Sequence, residues 1–281
     1  MKHIGLAVSA FGLSSLISLA NAGDMGAEPL NKTGLFLGVG GGYNQIEIKT
    51  KTLGVLNAQD GFPPLGLYTG ESNYSKTKEA FAPEAKIGYF SHFANSNLLW
   101  GLEFLYQYSG VKIKTTRDKL GSGAAIQLAD PTQNVTDFLS MNPVKTRVHT
   151  EFMLPVFLGY SLANSFLYAG VGPAVFQLKR TVGRINDESS GLFIGNAAGF
   201  SNSEWIWGGA ARAGIAYYLN PSWFLNLNYS YSFTGNTHLN NRKLFTPAIN
   251  TGLNSGSIAF NTRQRLNAQT ISLSINKVFS L

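Results

Sequence analysis

The stretch Trp223-Phe224-Leu225-Asn226-Leu227-Asn228-Tyr229-Ser230-Tyr231-Ser232-Phe233-Thr234 decides the fold. Its odd positions are all apolar or aromatic, whereas its even positions, after Phe224, are Asn, Ser or Thr. Side chains alternate between the two faces of a β-strand. The segment is therefore a strand with one apolar face and one face of hydroxyls and amides. Asn220-Pro221-Ser222 before it is turn chemistry.

The same alternation recurs along the chain. Residues 98–111 set Leu98, Trp100, Leu102, Phe104, Tyr106 and Tyr108 against Leu99, Gly101, Glu103, Leu105, Gln107 and Ser109. Residues 147–160 set Val148, Thr150, Phe152, Leu154, Val156, Leu158 and Tyr160 against Arg147, His149, Glu151, Met153, Pro155, Phe157 and Gly159. In 81–93, Phe81, Ala85, Ile87, Tyr89 and Phe93 oppose Glu84, Lys86 and Gly88. In 205–219, Trp205, Trp207, Ala213, Ile215 and Tyr217 oppose Gly208, Ala210, Arg212 and Gly214. Three less regular segments, 34–48, 166–178 and 269–279, bring the strands to eight.

Ionisable residues recur in mid-strand on the face opposite the aromatics, at Glu84, Lys86, Glu103, Glu151 and Arg212. Buried charges persist only where they pair, and a narrow barrel lumen supplies partners. Aromatics, by contrast, concentrate near both strand ends, as interfacial girdles do. One girdle is expected from Phe93, Trp100, Tyr160, Tyr217, Trp223 and Phe279. The other is expected from Phe81, Tyr106, Tyr108, Phe152, Trp205, Trp207, Tyr231 and Phe233. From Trp223 to Tyr231, at ~3.3 Å per residue and a tilt of about 40°, a strand covers roughly 20 Å of membrane normal.

Composition agrees with lipid-facing strands. Only 13% of the 281 residues are charged, while Gly (31), Phe (19) and Tyr (12) are abundant; a soluble chain of this length carries about twice that charge. Beyond the N-terminus no apolar run reaches the 18 or so residues of a spanning helix. A soluble lipocalin-like barrel or a sandwich would place the aromatics inside and the charges outside. The absence of Cys excludes disulfides, thiolate metal sites and a Cys nucleophile. Lys2 and His3, the apolar stretch 4–19 and Ala20-Asn21-Ala22 predict a signal peptide over 1–22. A periplasmic segment 23–33 and a barrel 34–281 follow. Removing Lys2 takes the net charge from +7 to +6.

Three connections are short, at 95–97, 163–165 and 220–222, and four are long, at 49–79, 114–146, 179–204 and 235–262. Short periplasmic turns alternating with long extracellular loops are the outer-membrane pattern. The expected fold is an all-β, transmembrane, antiparallel up-and-down barrel of eight strands, in the outer membrane of a Gram-negative cell.

This sequence resembles the eight-stranded outer-membrane barrels that include the OmpA transmembrane domain and the opacity-type surface proteins. The C-terminal residues Ser274, Asn276, Phe279 and Leu281 follow the spacing of that family's barrel-assembly signal, with Asn276 where Gly is usual and Leu281 where an aromatic is usual. The resemblance implies the barrel-assembly machinery as a partner, and a chain without the peptidoglycan-binding domain of longer relatives.

Chemistry offers little for catalysis. Three histidines follow the signal: His92, His149 and His238. His149 with Glu151 has the composition of a lipid-modifying site near a membrane edge, but both are expected on the lumen face, where paired polar groups need no reaction. Gly38-Val39-Gly40-Gly41-Gly42 fails the dinucleotide pattern at Tyr43. No cofactor and no enzymatic role are expected. Glu84, Lys86, Glu103, Glu151 and Arg212 read as a salt-bridged plug, with a gated pore for small solutes as the alternative. Arg242, Lys243, Arg263 and Arg265 are expected in or near the last loop, where they could meet lipopolysaccharide phosphates. A host or surface ligand is expected on the loops. A monomer without a nucleic-acid partner completes the expectation.

Overall fold

The computed structural model describes residues 33–60, 67–115, 118–120, 125–126, 139–187, 197–245 and 255–280. The expected signal peptide, the 23–33 segment apart from Thr33, and Leu281 lie outside the described residues. The described chain is almost entirely strand: β1 (Gly34–Asp60), β2 (Leu67–His92), β3 (Leu98–Thr115), β4 (Asp118–Leu120), β5 (Ala125–Ile126), β6 (Leu139–Met153), β7 (Val156–Ser161), β8 (Ser165–Asp187), β9 (Ala197–Asn220), β10 (Trp223–Thr234), β11 (Thr237–Phe245) and β12 (Ser255–Ser280). All ladders are antiparallel, and β12 pairs with both β10 and β1, closing the sheet into a barrel.

The ring has eight positions, since β6 and β7 run as one stave between β3 and β8. Pro155 separates those two segments because it has no N–H to donate. The ladder survives the break: Glu103 N donates to the Pro155 carbonyl (3.1 Å) and Leu154 N to that of Pro173 (3.1 Å). The short turns are tight. Asn95 takes φ 53°, and the Asn220 side-chain oxygen accepts from the backbone N–H groups of Ser222 and Trp223, an Asx turn that its residue types favour.

The four long connections are themselves largely strand, which moves the expected loop boundaries outward. β1 continues from the expected limit at Ile48 to Asp60, and β2 begins at Leu67 rather than near residue 80. β8, β9 and β12 extend in the same way, and β11 fills part of the last connection. The inward positions Ile46, Ile48, Thr50 and Thr52 are all buried. These strands continue beyond the lipid because their inner faces still find partners, while their outer faces change from apolar to polar.

Above the bilayer the ring divides. β2 pairs with β3 only from Glu84–Gln107 to His92–Leu99, and β9 pairs with β10 only up to Gly208–Thr234. Among the described residues no ladder closes these two seams higher up. One extracellular sheet is then β11–β12–β1–β2, and the other is β3–β6–β8–β9. Divergence begins at a bulge: the β3–β6 register shifts between Tyr108 and Val111, where Gly110 has φ 59°. That backbone angle strains any side-chain-bearing residue, and bulges bend and twist a strand locally.

Candidate functional site

The lumen is built in layers. Nearest the short turns, Phe36, Phe90, Leu99, Phe157, Phe166, Tyr168, Phe224 and Val278 form one apolar cluster. Its rings meet at 5.3–6.5 Å, Phe224 lying edge-on to both Phe36 and Phe90. Glycines on the same face make room for it. A Cβ at Gly88 would lie 2.4 Å from the Phe36 ring, and one at Gly101 would lie 2.2 Å from that of Phe157. The sequence reading missed this plug. Its signal was present in Phe90, Phe157 and Phe224, aromatics that share a face with glycines and charges close to the short turns.

The predicted lumen charges occupy the next layer. Lys86 Nζ lies 3.3 Å from Glu84, and Arg212 pairs with Glu103, all four side chains being buried. Ser272 donates to Glu84 (2.8 Å) and Tyr168 to Asn226 (3.0 Å). Glu151 stands apart from the two ion pairs and accepts from Ser232 (2.5 Å). The sheet therefore brings together four of the five predicted residues as two pairs and gives the fifth a hydroxyl.

A second apolar layer covers these charges, from Ile46, Ile48, Leu105, Val111, Val148, Phe176, Leu178 and Leu266 among others. Higher still, between the two extracellular sheets, Arg180 is buried and donates to Thr262 and to Thr52 (3.2 Å), while Ser72 donates to Asp118. Burial pushes the Asp118 carboxyl above its ordinary 3.8, against the opposing hydrogen bond from Ser72 and the attraction of Arg180. Phe200 and Phe260 meet at 5.7 Å above this layer. Arg180 and Asp118 were missed because both fall in stretches read as loop.

Every residue named for the two girdles points away from the lumen. Phe81, Phe93, Trp100, Tyr108, Tyr160, Trp205, Trp207, Tyr217, Trp223, Phe233 and Phe279 are exposed, and Tyr106, Phe152 and Tyr231 are half-exposed. Phe152 contacts Tyr106 (5.3 Å) and Trp205 (5.8 Å), and Lys277 lies over the rings of Trp223 and Phe279 at 5.7 and 5.3 Å. Phe104 and Tyr229, which the alternation of residues 98–111 and 223–234 sets on the apolar face, share the outward face, and so does Tyr43, which was not assigned.

The basic residues expected in the last loop stand on strands instead. Arg242 and Lys243 lie on β11, and Arg263 and Arg265 on β12. Pairing of β11 with β12 removes them from a loop. Arg263 and Arg265 stand opposite Lys51 and Lys49 on the outer face, where Glu71 pairs with Lys51 (2.8 Å) and Glu47 with Lys49 (3.5 Å). Arg242 donates to Ser257 (3.2 Å) and borders a groove of about 380 Å³ with Leu53, Val55 and Phe260. Its walls come from β1, β11 and β12.

The histidines are separated. His92 shares a 2.6 Å hydrogen bond with Ser161 at the turn end, His238 stands opposite Arg263, and His149 is half-buried within the β6 bulge. The sequence expectation placed His149 on the lumen face with Glu151. The bulge instead interrupts the alternation between Val148 and Glu151, and only Glu151 is fully buried. Among the described residues no three of His, Cys, Asp and Glu converge on a point where a metal could sit.

Comparison with known proteins bears on this architecture. Among solved structures the chain is similar to Neisserial surface protein A, at 12% identity over 90% of this chain and 99% of that one, with a TM-score of 0.32. It is similar to Ail, the attachment invasion locus protein of Yersinia pestis, at 13% identity over 82% and 98% of the two chains, with a TM-score of 0.28. It is also similar to the outer membrane protein OprG from Pseudomonas aeruginosa, at 10% identity over 89% and 98%, with a TM-score of 0.37. No curated protein matches it significantly in sequence. A family model described as an outer membrane protein beta-barrel domain matches residues 11–274. Spanning nearly the whole chain, that match makes the protein a member of the outer membrane β-barrel family, resident in the outer membrane of a Gram-negative cell.

Proposed function

We propose that the protein is a closed, monomeric, non-enzymatic barrel whose extracellular sheets meet the cell's surroundings and carry its recognition of a host or surface ligand. The observation that carries this reading is the pair of apolar layers, one on each side of the lumen charges. A lumen blocked twice is poorly suited to conduct solutes. The chain's remaining variety of charged and polar groups is then displayed on the two sheets above the bilayer, a rigid scaffold of the kind on which binding residues gather. In this reading Glu84 pairs with Lys86 and Glu103 with Arg212, while Ser272 and Ser232 donate to Glu84 and Glu151, so the lumen charges hold the barrel's interior rather than a solute. The outward aromatics form the two interfacial belts, and β12, with Ser274, Asn276 and Phe279, is the strand read by the barrel-assembly machinery.

Whole-cell adhesion to host cells or matrix, compared with that of cells whose chain lacks residues 61–66 and 188–196, tests the recognition role. Adhesion should fall while the barrel still reaches the membrane; equal adhesion would remove the proposal. The gated-pore alternative is tested separately by planar-bilayer recording of the purified chain. A steady, cation- or anion-selective conductance abolished by Lys86→Ala or Arg212→Ala would replace the closed reading by the pore.

A further inference from the structure

The outer face of the extracellular sheet β3–β6–β8 carries cations in register. Lys112 stands opposite Arg147, which stands opposite Lys179, so three positive side chains form one row across three adjacent strands. One pair further from the membrane, Lys114 stands opposite Lys145. Strands lie about 4.8 Å apart, so the first row spans roughly 10 Å. Like charges directly opposite each other destabilise a sheet. On the β1–β12 face the comparable pairs, Lys49–Arg265 and Lys51–Arg263, are interleaved with Glu47 and Glu71. Among the described residues no carboxylate forms an ion pair with Lys112, Lys114, Lys145, Arg147 or Lys179. In register the nearest acid is Glu204, half-buried and opposite the inward-facing Leu178, so it belongs to the other set of alternating positions.

The height of the row identifies what balances it. On β3 the outward positions below it are Tyr106 and Tyr108; Phe152 stands opposite Tyr106 on β6, and the same row continues through Val175 on β8 to Trp207 on β9, with Trp205 the next outward position above. Phe152 touches both Tyr106 and Trp205, making a continuous aromatic strip directly on the membrane side of the cations. The apolar face ends there, and charge begins within one turn of the pleat. Cations at that level face the headgroup layer, where anionic groups attract Lys and Arg, and Arg pairs with phosphate through two parallel N–H bonds.

We propose that Lys112, Arg147 and Lys179, with Lys114 and Lys145 behind them, form a binding site for the phosphates of outer-leaflet glycolipid headgroups, the aromatic strip receiving the acyl chains below. The site rests on the barrel's orientation in the membrane and is independent of the recognition role proposed above.

The test uses the full chain, folded in an uncharged maltoside micelle doped with bisphosphorylated lipid A, and reads the unfolding midpoint by heat-modified gel mobility. Lipid A should raise the midpoint of the wild-type protein and of a control variant, Lys49→Gln/Lys51→Gln/Lys78→Gln, which loses the same charge elsewhere. Lys112→Gln/Arg147→Gln/Lys179→Gln should fold and shift gel mobility normally, yet need at least tenfold more lipid A for the same rise. Dephosphorylated lipid A, or inorganic phosphate at equal phosphate concentration, should leave all three proteins unchanged. The proposal is overturned if the triple variant responds like the wild type or if the control loses the response equally. It is overturned too if inorganic phosphate alone reproduces the rise, or if a soluble sulfated polysaccharide occupies the row in preference to the lipid.

Discussion

At the scale of single residues, the lumen depends on matched partners. Arg212 is buried against Glu103, and removing one member leaves the other charge without compensation. Arg212→Ala should therefore cost about 3–5 kcal/mol, measured by urea unfolding in lipid vesicles. Arg212→Met combined with Glu103→Leu, which removes both charges and keeps volume, should recover most of that loss. A double variant no more stable than the single one would contradict the pairing. Size is matched as closely as charge. Gly88 faces the Phe36 ring and the Leu102 carbonyl, 2.4 and 2.7 Å from where a Cβ would stand. Gly88→Ala should cost about 1–3 kcal/mol through overpacking, and Gly88→Ala with Phe36→Leu should cost less than either change predicts alone. The five lumen ionisables were legible because a charge repeated on the face opposite aromatics has few other homes. Arg180 and Asp118 were not, because their burial depends on two sheets closing over stretches whose polarity reads as loop.

At the scale of strands, the alternation of faces was legible wherever lipid lies on one side, because hydrocarbon tolerates no polar side chain there. Above the lipid both faces carry polar groups, the period-2 signal fades, and β1, β2, β8, β9 and β12 continue by some 8 residues or more past the point where their apolar face ends. The two seams make a further prediction. In β2 between residues 70 and 82, amides directed toward β1 are paired, whereas those directed toward β3 have no strand partner. Hydrogen exchange should show alternate residues protected and fast across this segment; uniform protection would mean that the seam is closed. Across the interior of the same region, burial raises the Asp118 carboxyl, so the folded state holds this proton more tightly than the unfolded chain does. The stabilisation from the protonated form is complete below its ordinary 3.8 and is lost as pH rises through the raised value. Asp118→Asn keeps an oxygen acceptor for Ser72 and removes the charge. Its unfolding midpoint should decline less than that of the wild type as pH rises from 3.8 toward neutrality, and parallel curves would exclude this carboxyl as the cause.

At the scale of the whole molecule, two apolar layers enclose the charge network, and the prediction is a silent barrel: reconstituted in planar bilayers, the wild-type chain should give no steady current above baseline. Phe90→Ala with Phe224→Ala opens only the lower layer, so it too should remain silent; conduction by that variant would place the whole barrier in the aromatic plug. Low charge, alternating faces and alternating connection lengths determined that this is an eight-position barrel in an outer membrane, because the bilayer imposes its requirement on every strand separately and so writes it locally in the sequence. Only the tertiary structure decided how the lumen is filled, where the ring parts into two sheets, and which cations share a row. Each of those depends on the register between strands distant in sequence, where a shift of one residue exchanges the inside of the barrel for its outside.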